Sequence, residues 1–299
     1  MLNLTKIAVD AMGGDGSPKK IIDGIIHNHK SNTQNFFIIF GNKNEIEPYI
    51  TDKIAKEFYK IIHTENMVKS TDSPLEAAKR GKDTSMWLAI NSVKNKEADI
   101  VISAGNTGAL LVISKLNLKM IENIDKPALS ALWPNKKGMS VVLDLGANIE
   151  CNSKNLVDFS IMGASLYKSL YPNNTPKIAL LNIGSEELKG NEIIKETFQI
   201  LNEKKFKNFD FSGYIEGNQL MDGNVNVIIS DGFTGNVALK TAEGTANFIT
   251  DELKMIFKGS ILGKISAILN YSNLNKFKKR LDPRLYNGAI FIGLDSPVV

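Results

Sequence analysis

Asn226-Val227-Ile228-Ile229-Ser230-Asp231-Gly232-Phe233-Thr234-Gly235-Asn236-Val237-Ala238-Leu239-Lys240 holds a strand, a turn and the start of a helix in one stretch. The β-branched run Val227 to Ile229 predicts a buried strand. Ser230 to Asn236 is a polar turn containing Gly232 and Gly235, and a helical pattern runs on from Val237 through Gly244. In open α/β sheets, ligands bind beyond the carboxyl ends of strands. Glycine there lets backbone N–H groups approach an anion, and the helix N-terminus adds its dipole. Taken alone, the stretch reads first as an ordinary strand–turn–helix corner with Asp231 as an N-cap.

The plan recurs along the chain. Ile7 to Asp10 runs into Ala11-Met12-Gly13-Gly14-Asp15-Gly16, with Pro18 opening a helix. Ile100-Val101-Ile102 leads into Ser103-Ala104-Gly105-Asn106-Thr107-Gly108, and Val141-Val142-Leu143 into Asp144-Leu145-Gly146-Ala147-Asn148. Ile178 to Ile183 leads into Gly184-Ser185-Glu186-Glu187. Parallel strands are expected to gather all these turns at one edge of one sheet.

Composition sets the outer bounds. A chain of 299 residues can bury a large core as one α/β domain or as two lobes. Apolar residues make up 43% and charged ones 23%, ordinary for a water-facing globular fold. Cys151 is the single cysteine, which excludes an intrachain disulfide and reads as a packed residue. The net charge of +4 is carried by lysines spread among acids, which does not point to nucleic acid. Met1 to Lys6 carries no signal-peptide core, and no apolar run is long enough to span a bilayer.

Strand and helix patterns alternate, which predicts an α/β fold with a mainly parallel sheet. Helices are expected at 18–28, 44–60, 85–94, 156–170 and 191–204. The polar link Pro134 to Gly138 between two apolar runs predicts a hairpin, so the sheet is expected to be mixed. No linker interrupts the pattern, which favours two lobes wrapped by one chain around a cleft. His27, His29 and His63 form no metal or triad pattern. There is no Walker A string, dinucleotide fingerprint, nucleophile elbow or H-E-x-x-H, so a P-loop kinase, a standard dehydrogenase and a serine hydrolase are disfavoured. No metal or cofactor site is read.

The strings Asp10-Ala11-Met12-Gly13-Gly14-Asp15, Ser103 to Gly108, Leu143 to Asn148, Leu181-Asn182-Ile183-Gly184 and Asp231 to Asn236 resemble, in order, the motif set of the bacterial phosphate acyltransferase (PlsX) family. The resemblance covers nearly the whole chain. It implies an α/β/α fold of mixed, mainly parallel sheet, like the phosphotransacetylases and, more distantly, the isocitrate and isopropylmalate dehydrogenases. It implies transfer of a fatty acyl group from acyl-[acyl carrier protein] to inorganic phosphate, giving acyl phosphate for phospholipid synthesis. Relatives are cytoplasmic homodimers that associate peripherally with the inner face of the cell membrane, and the downstream acyl phosphate:glycerol-3-phosphate acyltransferase is the expected partner. Two other readings are a phosphotransacetylase using acyl-coenzyme A and a non-catalytic protein that docks acyl carrier protein at the membrane.

The chemistry suits such turns. Phosphate is already a nucleophile near neutral pH, and the thiol that leaves has a pKa of about 8.5. The protein mainly has to hold phosphate against the thioester carbonyl and stabilise the oxyanion. Ser103, Asn106 and Thr107 are the expected phosphate donors, with Gly13, Gly14, Gly105 and Gly108 allowing close approach. Thr234 and Asn236 would face them and serve phosphate or the oxyanion, and Asp231 is either a general base or an N-cap. Asp10, Asp15, Asp144, Asn148 and Asn182 are expected behind these donors. Lys189 and Lys240 read as solvated lysines.

One further segment differs. Ile261, Leu262, Ile265, Ile268 and Leu269 make one apolar helical face, and Leu274, Phe277 and Leu281 a narrower one. Lys276, Lys278, Lys279 and Arg280 surround the second, and no acid falls between Glu252 and Asp282. Residues 254–281 thus read as an amphipathic helical hairpin, either packed on itself or in a dimer, or set against anionic lipid. The end at Pro297-Val298-Val299, where relatives continue into a Lys-x-His-Gly segment, reads as a truncated C-terminus.

Overall fold

Isoleucine and phenylalanine runs build the first of two sheets. In the computed structural model, which describes residues 4–281 and 288–299 except the side chains of Arg280 and Leu281, the chain divides into two units. The first comprises Met1–Pro127 and Ile290–Val299, the second Ala128–Ala289.

The first unit contains β1 (Thr5–Asp10), α1 (Lys19–Ser31), β2 (Asn35–Gly41), α2 (Lys43–Ile50), β3 (Tyr59–His63), α3 (Pro74–Arg80), α4 (Ser85–Lys94), β4 (Ile100–Ser103) and α5 (Thr107–Asn117). Its strands lie in the order β3-β2-β1-β4, all parallel. Ile7 and Val9 join Phe37, Ile39, Ile22, Ile26 and Ile46 in one core. Period-two alternation turns Ala8 and Asp10 to the other face, which α4 covers with Met86, Ala89 and Ile90. At the C-terminal end of the chain, Val299 exchanges backbone hydrogen bonds with β4 through Val101 and Ser103.

The second unit runs β5 (Ala128–Asn135), β6 (Gly138–Leu143), α6 (Ser153–Leu170), β7 (Lys177–Asn182), α7 (Glu192–Glu203), β8 (Asp210–Glu216), β9 (Val227–Ile229), α8 (Gly232–Lys258), α9 (Ile261–Leu269) and α10 (Tyr271–Leu281). The short β10 (Ile290–Ile292) belongs to the first unit. The order in the second unit is β5-β6-β9-β7-β8, antiparallel only at the β5–β6 hairpin. The mixed sheet is therefore as expected. Leu156, Phe159 and Ala164 of α6 are buried, and Gly163 is where that helix meets the sheet: a Cβ there would fall 2.6 Å from Val227 Cγ1.

Two expectations are corrected. The turns do not share one sheet edge. Those after β1 and β4 belong to the first unit, and those after β6, β7 and β9 to the second, because after α5 the chain enters a new sheet through the hairpin. The helix expected over 44–60 ends at Ile50, where Asp52 takes the left-handed conformation (φ 63°) and turns the chain toward β3.

Candidate active site

In the first unit, the strand register builds the site. Asp10 and Ser103 are Cα partners in the β1–β4 ladder, at the last residue of each strand. Asp10 is 1% exposed, and its Oδ2 accepts the Ser103 hydroxyl at 2.7 Å while Oδ1 accepts the Met12 amide at 3.2 Å. Ser103 Oγ in turn accepts the Gly105 amide at 3.1 Å. Burial raises the Asp10 carboxyl above the usual carboxylate range, and the polar groups around it, the Ser103 hydroxyl and the Met12 amide among them, pull it back down.

The glycines of both turns are needed for this approach. A Cβ on Gly13 would lie 2.6 Å from Asp10 Oδ2 and 2.9 Å from the Gly105 nitrogen. Gly14, at φ 86°, backs onto the Ala104 carbonyl. Asn106 is the N-cap of α5: its Oδ1 accepts the Ala109 amide, and its Nδ2 donates to the Ser70 and Asp72 carbonyls. That amide group is fully committed, so it shapes the turn and has no N–H left for an anion. The Thr107 side chain is exposed, and among the described residues the Thr107 and Gly108 amides have no partner. A cavity of about 320 Å³ in the first unit is lined by Asn66, Asp72, Arg80 and Thr84 among others, and the carbonyl of Asp72 accepts the Asn106 amide. Asp15 is exposed at the outer end of its turn.

In the second unit the organiser is Asp144, fully buried at the end of β6. Its Oδ1 accepts the amides of Leu129, Gly146 and Ala147, and its Oδ2 accepts both amides of Asn148. The Asn148 carbonyl then accepts the Gly232 amide at 2.8 Å, joining this turn to the one after β9. A Cβ on Gly232 would fall 2.5 Å from that carbonyl oxygen, so the junction requires glycine.

Asp231 is the N-cap of α8. Its two carboxylate oxygens accept the Thr234 amide at 2.7 Å and the Thr234 hydroxyl at 2.8 Å. Asn236 is exposed beside Gly146 and has no partner among the described residues. Asn182, at the end of β7, closes the adjoining loop by donating to the Gly184 and Lys189 carbonyls. Lys240 pairs with Glu243. Among the described residues no cluster of His, Cys, Asp or Glu is arranged to hold a metal, and no helix is long and apolar enough to cross a membrane.

Sequence reading passed over Ser85 and Ser230. Ser230 Oγ donates to the Asp144 carbonyl, and Ser85 is buried at the start of α4, the helix packed over β1. Nothing local in the sequence marks either serine, since only the fold brings Ser230 to the Asp144 carbonyl and packs the start of α4 over β1.

The apolar face of α9 is open. Ile261, Leu262, Ile265, Ile268 and Leu269 are 49% to 80% exposed, while Gly263 packs against the Ile256 and Phe257 carbonyls of α8. The stripe is therefore not covered by its own hairpin. Leu281 and Arg280 lie outside the described side chains.

Comparison with known proteins adds three findings. Residues 5–299 match the family described as "Fatty acid synthesis protein". A "Phosphate acyltransferase" of Pelagibacter ubique is 74% identical over all of this chain and 90% of its own length, and one of Maricaulis maris is 40% identical over all of this chain and 86% of its own. Among solved structures, a phosphotransacetylase from Streptococcus pyogenes superposes with a TM-score of 0.62 at 16% identity, covering 99% of this chain and 87% of its own. A branched-chain phosphotransacylase from Enterococcus faecalis gives 0.60 at 13%, covering 99% and 91%. These two structures share the fold.

Proposed function

The chain belongs to the fatty acid synthesis protein family, among its phosphate acyltransferases, and on that premise we propose that it moves a fatty acyl group from acyl-[acyl carrier protein] to inorganic phosphate. The observation that carries the reading is the 74% identity with a phosphate acyltransferase over the full chain.

In this reading a phosphate oxygen attacks the thioester carbonyl. A tetrahedral oxyanion forms, the C–S bond breaks, and the thiolate leaves with the electron pair; acyl phosphate and free carrier thiol are the products. Phosphate needs little activation, and a thiol with a pKa of about 8.5 leaves readily as thiolate. Preorganised donors are then the main requirement.

The Thr107 hydroxyl and the Thr107 and Gly108 amides hold phosphate at the N-terminus of α5, where the helix dipole adds to the field. Ser103, Gly105, Gly13 and Gly14 set the shape of that turn. In the second unit, taken by itself, the turn after β9 offers the exposed Asn236 amide as a candidate donor, with the Thr234 hydroxyl on the same turn. Asp231 acts as the cap that fixes Thr234. Asp10, Asp144, Asn148 and Asn182 hold the backbone of the turns, and Asp15 lines the outer rim.

The protein acts as a homodimer at an anionic membrane surface. The exposed Phe248, Ile249, Met255 and Ile256 of α8 offer apolar area to a second copy. The open face of α9 enters the headgroup zone, and Lys276, Lys278 and Lys279 meet anionic lipid and the acidic carrier protein. Acyl phosphate passes to a glycerol-3-phosphate acyltransferase in the same membrane. The test is to compare acyl-[acyl carrier protein] with acyl-coenzyme A as donor to phosphate. A higher kcat/KM with the carrier protein is expected, and a preference for coenzyme A would identify a phosphotransacetylase instead.

A further inference from the structure

The cavity of the first unit shares a residue with the turn that opens α5. Asp72 lines the cavity, and its carbonyl accepts the Asn106 amide at 3.0 Å. Pro74, at the start of α3, packs so close to that turn that a Cβ on Gly108 would lie 2.8 Å from its ring. The other polar lining is mostly committed. Asn66 Nδ2 donates to Asp83 Oδ2 at 2.6 Å, the Thr84 hydroxyl donates to the Gly81 carbonyl at 2.7 Å, and Asp72 Oδ2 accepts the Lys69 amide at 2.8 Å. Arg80 is different. It lines the cavity from the last turn of α3, is exposed, and among the described residues has no hydrogen bond or ion pair, not even with Glu76 one turn back. Lys79 and Lys82 beside it are exposed and also lack ion pairs among the described residues.

We propose that this cavity takes the phosphopantetheine arm of the acyl donor, and that Arg80 binds the arm's phosphodiester. The proposal rests on the reading that the neighbouring turn holds inorganic phosphate for acyl transfer. A volume of about 320 Å³ falls in the range of small-ligand sites. The arm is a slender chain with two amides, a hydroxyl and a pair of methyl groups, a thiol at one end and a phosphodiester at the other. It needs acceptors, apolar surface and one cation in the same place. Glu76 offers carboxylate oxygens to its N–H groups, and Met67 and Val68 give apolar contact for its methyls. A guanidinium meets two phosphodiester oxygens at once, and Lys79 and Lys82 add to the positive field. With the phosphodiester on Arg80, the thioester end is left for the side that Asp72 shares with the α5 turn.

Arg80→Ala is expected to raise KM for acyl-[acyl carrier protein] and for acyl-coenzyme A alike, by about tenfold to a hundredfold, the loss of a charge-assisted bond. Both donors carry the arm, and their relative kcat/KM in the parent tells which one supplies it. The KM for inorganic phosphate and the unfolding midpoint stay near the parent's. An acyl-N-acetylcysteamine thioester, which keeps the end of the arm but has no phosphodiester, reacts equally well with parent and variant. Arg80→Lys keeps the charge without the paired contact and falls between the two. Apart from turnover, free phosphopantetheine should perturb the amide resonances of residues 66–84 in the parent and not in Arg80→Ala. An equal loss with the N-acetylcysteamine thioester, a loss confined to the carrier-protein donor, a raised phosphate KM, or an unchanged KM for both donors overturns the assignment. A parent protein that acylates phosphate from neither donor brings down the acyl-transfer reading, and this assignment with it.

Discussion

Asp144 Oδ2 accepts both the backbone amide and the side-chain amide of Asn148, at 2.8 Å each. With three further amides on Oδ1, this buried carboxylate fixes the turn that carries the Gly232 junction. Asp144→Ala abandons all of these donors. Each buried donor left unmet costs about 1–3 kcal/mol, so a loss of about 3 kcal/mol or more in urea unfolding is expected. A variant as stable as the parent contradicts this account of the turn.

Thr107 in the first unit and Asn236 in the second are exposed, and neither side chain has a hydrogen bond among the described residues. Thr107→Val and Asn236→Ala are each expected to lower turnover by about tenfold to a thousandfold, the range for losing a preorganised donor, with unfolding midpoints near the parent's. Asn106→Ala should behave differently. Its amide caps α5, so about 1 kcal/mol of stability goes along with activity. Near-full turnover in both Thr107→Val and Asn236→Ala would move the site elsewhere.

Much of this was legible in the sequence. The β-branched runs and their glycine turns announced β1, β4, β6, β7 and β9 and the residues that follow each of them. The division into two sheets was not, because strand order depends on pairings that local pattern does not encode. The capping role of Asn106 is not legible either, for a related reason. An asparagine in a glycine turn reads as a donor, and only the fold brings the Ser70 and Asp72 carbonyls to its amide. Asp231 left two roles open, and the Thr234 bonds favour the cap.

Asp10 gives a pH dependence whose sign can be worked out. Its carboxyl is raised in the folded protein by burial. Between the unfolded value of 3.8 and the folded one, the native state binds more protons than the unfolded state, so this group's contribution to stability falls as pH rises. Ionising Asp10 in the folded protein therefore costs stability that the unfolded chain does not lose. Asp10→Asn is expected to keep or gain stability at pH 7–8 while losing activity. A neutral-pH destabilisation larger than that at acid pH would contradict it.

The open face of α9 predicts salt-sensitive membrane binding. Attraction near an anionic surface is about 1 kcal/mol per basic residue, and salt screens it. Wild-type protein should pellet with anionic but not neutral vesicles at low salt. Ile261→Asp with Ile265→Asp should abolish pelleting and leave acyl transfer in solution intact. If the wild type stays in the supernatant with anionic vesicles, the face serves another copy of the chain.

The most direct measurement is phosphorus NMR of the purified protein with acyl-[acyl carrier protein] and inorganic phosphate. An acyl phosphate resonance should grow in step with free carrier thiol, and both should stop when phosphate is left out. Thiol release that continues without phosphate, or phosphate that stays unacylated while the thioester persists, contradicts the account.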